Sequence, residues 1–392
     1  MPTRITSIDA LRGLTIAFMI LVNDPGDWRH VYWPLDHAAW NGWTPTDLVF
    51  PTFVFLVGCS IVFSVGARLA RGVTRTAISL QMLRRFGILF FIAMFLTAYP
   101  HFHMTRLRIL GVLTRIALCY LIAGLIYVWV RRARWLVLIV FVLLAGYWVL
   151  MRWVPVPGLG WPVRDFPLLD PDRNLAACID RGFNGWCQAW LHTGRLYEKT
   201  RDPEGLLSTL PAVATALLGV LAALWLKTTR SATTLRNGLL AAGAVSLTLG
   251  ELWNVWFPIN KKLWTSSYVL MAGGWALLAL GLGYWLLDGE RIQDRASGWG
   301  RAVRAAVWPL LVYGSNAIAA FCLSELLVET LSWWKVPFGD GRRISAWGWV
   351  YGHGFAWNGS TENTSLAFAL VYVVVCFLPN WLLWRKKIFL RV

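Results

Sequence analysis

Residues 48–67 read LVFPTFVFLVGCSIVFSVGA, twenty positions without a charged side chain. A helix rises about 1.5 Å per residue, so the run covers roughly 30 Å, the thickness of a bilayer's hydrocarbon core. Outward from it, Leu206–Leu226, Leu263–Leu287, Ala305–Ser324 and Thr364–Trp384 share that property, and Trp135–Met151 is clean but slightly short. Ile109–Val130 carries one interior charge, Arg115, and Asn237–Phe257 carries Glu251. Leu11–Asn23 and Phe86–Tyr99 are short, with basic residues at their ends that can snorkel to extend them. The pattern predicts an all-α integral membrane protein, a polytopic bundle of about ten transmembrane helices. It reads as one domain over residues 1–392, with a long loop at about 152–205.

Composition agrees. Hydrophobic residues make up 57% of the 392 and charged residues 15%, against roughly 45–50% and 25% in soluble domains. The net charge of +17 comes without any nucleic-acid-binding signature, so no nucleic-acid partner is expected. The charge instead alternates between loops. Arg68, Arg71, Arg75, Arg84 and Arg85 follow the second span, Arg131, Arg132 and Arg134 the fourth, Lys227, Arg230 and Arg236 the sixth. Arg291, Arg295, Arg301 and Arg304 precede the ninth, and Arg385, Lys386, Lys387 and Arg391 close the chain. Basic loops stay in the cytosol, which places both termini there and requires an even number of spans. Asp9 and Arg12 interrupt what would be a signal peptide's apolar core, and Ser7 reads as the N-cap of the first helix.

All six histidines, His30, His37, His101, His103, His192 and His353, fall in loops of the opposite face. Imidazoles there suit proton transfer or metal binding, or simply sit at an interface. His101-x-His103 alone lacks zinc-ligand spacing, so no metal is expected. Cys178 and Cys187 share that face, where a disulfide or two free thiols are both open readings. Most of the 26 tryptophans belong to interfacial belts, but Trp28, Trp40, Trp43, Trp186, Trp190, Trp347 and Trp357 stand beside polar loop residues, where rings stack on sugars. Polar groups inside a bilayer cost roughly 2.5–3.5 kcal/mol for a central Arg or Asp, so they mark function or an internal pair. They are Asn23, Asp47, Arg115, Glu251, Asn254, Asn316, Glu325 and Glu329, and Arg115 with Glu251 is the bland pairing.

The densest polar segment runs VNDPGDW (22–28) and LDHAAWNGWTPTDLVFPTFVFLVG (35–58). With SIDALRG (7–13), RILGVLTRIALCYL (108–121), CIDR (178–181), DPEGLLST (202–209), PINKKLWTSSYV (258–269) and YGSNAIAAFCLSELL (313–327), it resembles the heparan-α-glucosaminide N-acetyltransferase family. The resemblance implies a helical bundle that passes an acetyl group from cytosolic acetyl-CoA to a glucosamine-type amine across the membrane. It places the catalytic histidine at His37 and the active-site asparagine at Asn23. The chain reads as a compact, bacterial-type member without the large luminal N-terminal domain, in an inner membrane with its site open to the periplasm.

Thioester aminolysis needs a base near neutrality, which suits His37, and a donor for the oxyanion, which suits Asn23. His37 taking the acetyl group covalently is the other path. Asp47 fits an acid that orients the imidazole or a cap for the second helix. Arg84 and Arg85 are candidates for the coenzyme's phosphates, Arg115 and Asn316 for its pantetheine arm or thioester. Asp180, Glu204, Lys261 and Trp40 are candidates for the sugar. A homodimer is compatible with this reading. Two rivals stand beside it: an amino-sugar permease, and an O-acyltransferase of cell-envelope glycans.

Overall fold

The computed structural model describes residues 5–289, 298–338 and 341–390. Its helices are α1 (Thr6–Asn23), α2 (Val49–Ala70), α3 (Arg75–Ala98), α4 (Val112–Trp129), α5 (Ala133–Trp153), α6 (Leu175–Leu191), α7 (Thr209–Leu226), α8 (Ala232–Asn254), α9 (Ser266–Leu287), α10 (Gly298–Ser315), α11 (Ala317–Trp333), α12 (Ala346–Gly354) and α13 (Glu362–Arg385). A small antiparallel hairpin, β1 (Lys335–Phe338) with β2 (Arg342–Ser345), pairs Val336 with Ile344. The protein is an all-α polytopic membrane protein. Eight helices are long and apolar enough to cross a bilayer. The α10–α11 pair passes the same test only when taken together, as a broken span or a re-entrant loop bent by 78°. Helix α8 has the length, 23 residues, but polar positions such as Arg236, Asn237 and Glu251 keep it less apolar.

Each of the ten apolar stretches contains a helix, with one revision. Ala305–Ser324 is not a single span: the helix stops at Asn316, whose backbone (φ −131°, ψ 43°) leaves helical geometry. The long loop 152–205 also holds structure of its own, the amphipathic helix α6, capped where Asn174 accepts the N–H of Ala177.

Helix α2 is the axis of the bundle. Val54, Phe55, Leu56 and Cys59 are buried between neighbours. Its closest partner is α7, and the seam is made by glycine. A Cβ at Gly58 would stand 1.8 Å from the carbonyl oxygen of Ala216, and one at Gly219 would stand 1.9 Å from that of Phe55. Small residues let two backbones touch where lipid supplies no hydrophobic drive for association. The outer helices show the reverse pattern: Phe91 on α3 and Phe141 on α5 are exposed, as side chains facing lipid tails must be.

Ser7 does not cap α1. The backbone N–H groups of Thr6 and Ser7 donate to the Asp288 carboxylate at 2.7 and 2.9 Å, while the Ser7 hydroxyl is buried without a partner. A carboxylate at a helix start outcompetes a hydroxyl because it answers both the free donors and the dipole. The start of α1, the α2–α3 turn and Leu390 border a common cavity. With Asp288 they gather several ends of the bundle on one face. Arg291, Arg295 and Arg391 lie outside the described residues.

Candidate active site

On the opposite face the loop 24–48 folds over the bundle and ends in a 3-10 turn, Pro45–Leu48, started by Thr44 and Pro45. The Asp47 side chain is fully buried there. Its Oδ2 accepts the N–H groups of Thr44 and Ala38, both at 3.0 Å, and the Thr44 hydroxyl at 3.2 Å. Its Oδ1 faces His37 Nδ1 at 2.9 Å and Lys261 Nζ at 3.0 Å. The two readings of Asp47 are therefore not exclusive: one oxygen closes the turn and the other faces the imidazole. Tyr268, buried on α9, donates its hydroxyl to the Asp47 carbonyl and fixes the backbone as well.

His37 is partly exposed, with Nδ1 turned inward. Lys261 Nζ lies 2.9 Å from His37 Nδ1 and 3.5 Å from Nε2. The lysine arrives on the loop 255–265, which is tied to the histidine's own loop. Gly42 donates to the Ile259 carbonyl at 2.8 Å, and Asn260 Nδ2 to Asn41 Oδ1 at 3.1 Å. Burial pushes the Lys261 ammonium below its ordinary range, and the Asp47 charge opposes that shift. Sequence reasoning placed Lys261 on the sugar; the structure seats it against His37 and Asp47.

The remaining outer candidates divide. Asn23 ends α1, half-buried; among the described residues no hydrogen bond joins it to His37, Asp47 or Lys261. Asp180 is buried, and its carboxylate accepts the N–H groups of Leu206 (2.9 Å) and Asp202 (3.4 Å). It holds the DPEGLL turn, and desolvation pushes it up to about 6. Glu204 pairs with Arg108, which also grips Asp202 through two contacts. Trp40 donates to the Leu169 carbonyl at 2.8 Å, and one of its faces lies under the Arg201 guanidinium.

Arg115 and Glu251 do not pair. Glu251 is exposed and bonds Asn254 three residues on. Arg115 is buried, donating from Nη2 to the Gly205 carbonyl at 2.9 Å and to the Ser208 hydroxyl. The disulfide reading also fails. Cys178 and Cys187 are both free and sit nine residues apart on α6, a rise of about 13 Å, well beyond disulfide reach.

On the basic face lies a cavity of about 1030 Å³, at the upper end of ligand clefts. Arg84 and Arg85 line it, joined by three arginines that sequence reasoning left as ordinary basic-loop or helix-end residues: Arg12, Arg68 and Arg71. Arg85 stacks over Tyr120, 4.7 Å from its ring centre, and its Nε is buried without a partner. The cavity climbs α2 from Arg68 to Phe53, about 22 Å. Asn316 is buried beside it but faces elsewhere: its amide donates to the Ile388 carbonyl and its oxygen accepts the Leu390 N–H.

Between cavity and outer cluster, along the start of α2 and the 3-10 turn before it, sits an aromatic stack. Phe50 meets Trp264 edge-on at 5.2 Å, and Trp264 meets Tyr268 at 5.5 Å. Trp264 holds a left-handed backbone (φ 52°) that non-glycine residues seldom adopt. The signal for Tyr268, Thr44 and Trp264 was present in the matched motifs, but nothing in spacing alone singled them out.

Comparison with known proteins gives the chain its relatives. Residues 4–250 match the family model described as "Heparan-alpha-glucosaminide N-acetyltransferase, catalytic". The Homo sapiens heparan-alpha-glucosaminide N-acetyltransferase is 29% identical over 439 aligned positions, covering all of this chain and 60% of its own length. The Mus musculus protein of that name is 28% identical over 330 positions, covering 73% of this chain and 49% of its own length. The chain thus spans about half to three fifths of these relatives.

Proposed function

Because the chain belongs to the heparan-alpha-glucosaminide N-acetyltransferase family, we propose that it transfers an acetyl group from acetyl-CoA on its basic, cytosolic face to a glucosamine-type amine on its outer, periplasmic face. One observation carries this reading: the two ends of a single helix, α2, border an arginine-lined cavity and a histidine–aspartate–lysine cluster. Phosphates want guanidinium forks, and five arginines bordering a cavity of this size supply them. The unpartnered Nε of Arg85 is a donor the coenzyme's phosphates would satisfy.

In the proposed mechanism the imidazole carries its proton on Nδ1, facing Asp47 at 2.9 Å, which leaves Nε2 as the free base. As the amine attacks the thioester carbonyl, Nε2 takes its proton. Such a base is worth roughly 10²–10⁴ in rate. The ammonium of Lys261 holds the Asp47 charge in place without consuming it. Asn23 remains the family's implied donor on this face, with Asp180 and Glu204 shaping the acceptor's surroundings through the loops they brace.

The test is vectorial. Vesicles carrying the protein receive labelled acetyl-CoA on one side and glucosamine on the other. Acetylated sugar on the sugar side supports the reading. Unmodified sugar crossing the bilayer would identify a permease, and consumption of hydroxyl acceptors alone an O-acyltransferase.

A further inference from the structure

Arg115 is a buried charge that the described residues satisfy only in part. Its side chain is almost wholly buried, yet Nε and Nη1 have neither a hydrogen-bond partner nor contact with solvent. No carboxylate of the described residues stands within ion-pair distance of it. Asp180, an acid that feels its charge, is already occupied by the backbone of Asp202 and Leu206. Desolvating an unpaired guanidinium is costly, so a site that keeps one is built for a charge that arrives later.

Its position says which charge. Arg115 lies one and a half turns along α4 from Tyr120, which lines the coenzyme cavity. Its guanidinium stacks on Trp264, 5.0 Å from the ring centre, and Trp264 follows Lys261 by three residues. Arg115 does not line the cavity itself, but through Tyr120 on its own helix and Trp264 under its guanidinium it adjoins both the cavity wall and the loop that carries Lys261. Nη2 is pinned by Gly205 and Ser208, which holds the fork rigid while Nε and Nη1 stay free.

Building on the transfer reading above, we infer that Arg115 binds the carbonyl oxygen of the thioester and holds its charge during acyl transfer. The amine lone pair forms the C–N bond, and the carbonyl π pair moves onto oxygen, against Nε and Nη1. That pair then returns, the C–S bond breaks, and coenzyme A leaves as a thiolate. The amine's proton passes to His37 Nε2. Preorganised donors of this kind are worth most in a water-free site.

The experiment uses the full chain in vesicles, with Arg115→Gln and Arg115→Ala. Turnover is expected to fall about 10²–10³-fold in Arg115→Gln, with KM for acetyl-CoA rising by a smaller factor as the ground-state carbonyl contact is lost. A folding defect is separated by two analogues. Wild-type protein should bind acetonyl-CoA, which keeps the carbonyl, more tightly than ethyl-CoA, which lacks it. Arg115→Gln should bind both alike, and added guanidinium should partly restore Arg115→Ala. Unchanged turnover, or equal loss of both analogues without rescue, overturns the inference. Failure of wild-type transfer, with the analogue preference still present, removes the transfer reading and leaves the carbonyl site standing.

Discussion

The outer cluster and the inner cavity solve different problems with different densities of contact. Around Asp47 every carboxylate oxygen is committed and the backbone is held from a second helix by Tyr268. Around the cavity the arginines are held loosely: Arg68 by Gln81, Arg71 by its own helix carbonyl, Arg12 by Asp9. A base must be aimed to within a few tenths of an ångström, so its supports are many and short. A polyphosphate needs only a positive field and donors that adjust to it.

If that contrast is right, single substitutions split by region. His37→Ala should lower turnover about 10²–10⁴-fold and leave coenzyme binding, read by calorimetry, where it was. Asp47→Asn should cost nearly as much. Its amide places a donor opposite Nδ1, which forces the imidazole proton onto Nε2 and blocks the base, the effect known for serine-protease triads at about 10⁴. Arg85→Ala should instead raise KM for acetyl-CoA about tenfold, the worth of roughly 1.4 kcal/mol, with kcat retained and a weaker salt dependence. The smallest effect belongs to Lys261. Burial lowers its ammonium, so activity that depends on that charge declines, as pH rises, earlier than for an ordinary lysine. Lys261→Arg, charged at every workable pH, should push this alkaline limb upward; a profile that stays put would detach Lys261 from the cluster.

The legible part of the molecule was whatever depends on runs and neighbours. Leu48–Ala67 announces a helix because its length and lack of charge leave no other stable form in lipid. His37 stood out through the HAAWNG motif that carries the family resemblance, and Asp47 because it follows the same loop. What escaped was long-range. Nothing local says that Asp288 rather than Ser7 satisfies the start of α1, since the two lie 281 residues apart. Positive-inside patterning also hid Arg12, Arg68 and Arg71, because arginines that orient a protein and arginines that line a cavity look the same in one dimension. At the break, Asn316 bonds Ile388 and Leu390, contacts that the YGSN motif does not disclose. The guess of Arg115 with Glu251 failed for the same reason: facing depends on helix rotation, and rotation on packing.

The glycine seam between α2 and α7 has a consequence for substrate choice. With Gly58 and Gly219 pressed against opposing carbonyls, α2 is packed backbone to backbone on α7, and its two ends lie about 30 Å apart. The helix is then a measuring rod. A donor gripped at the arginine end delivers its reactive bond to the far end only if its linker is the correct length, so truncated thioesters without the nucleotide handle should be poor donors however reactive their chemistry.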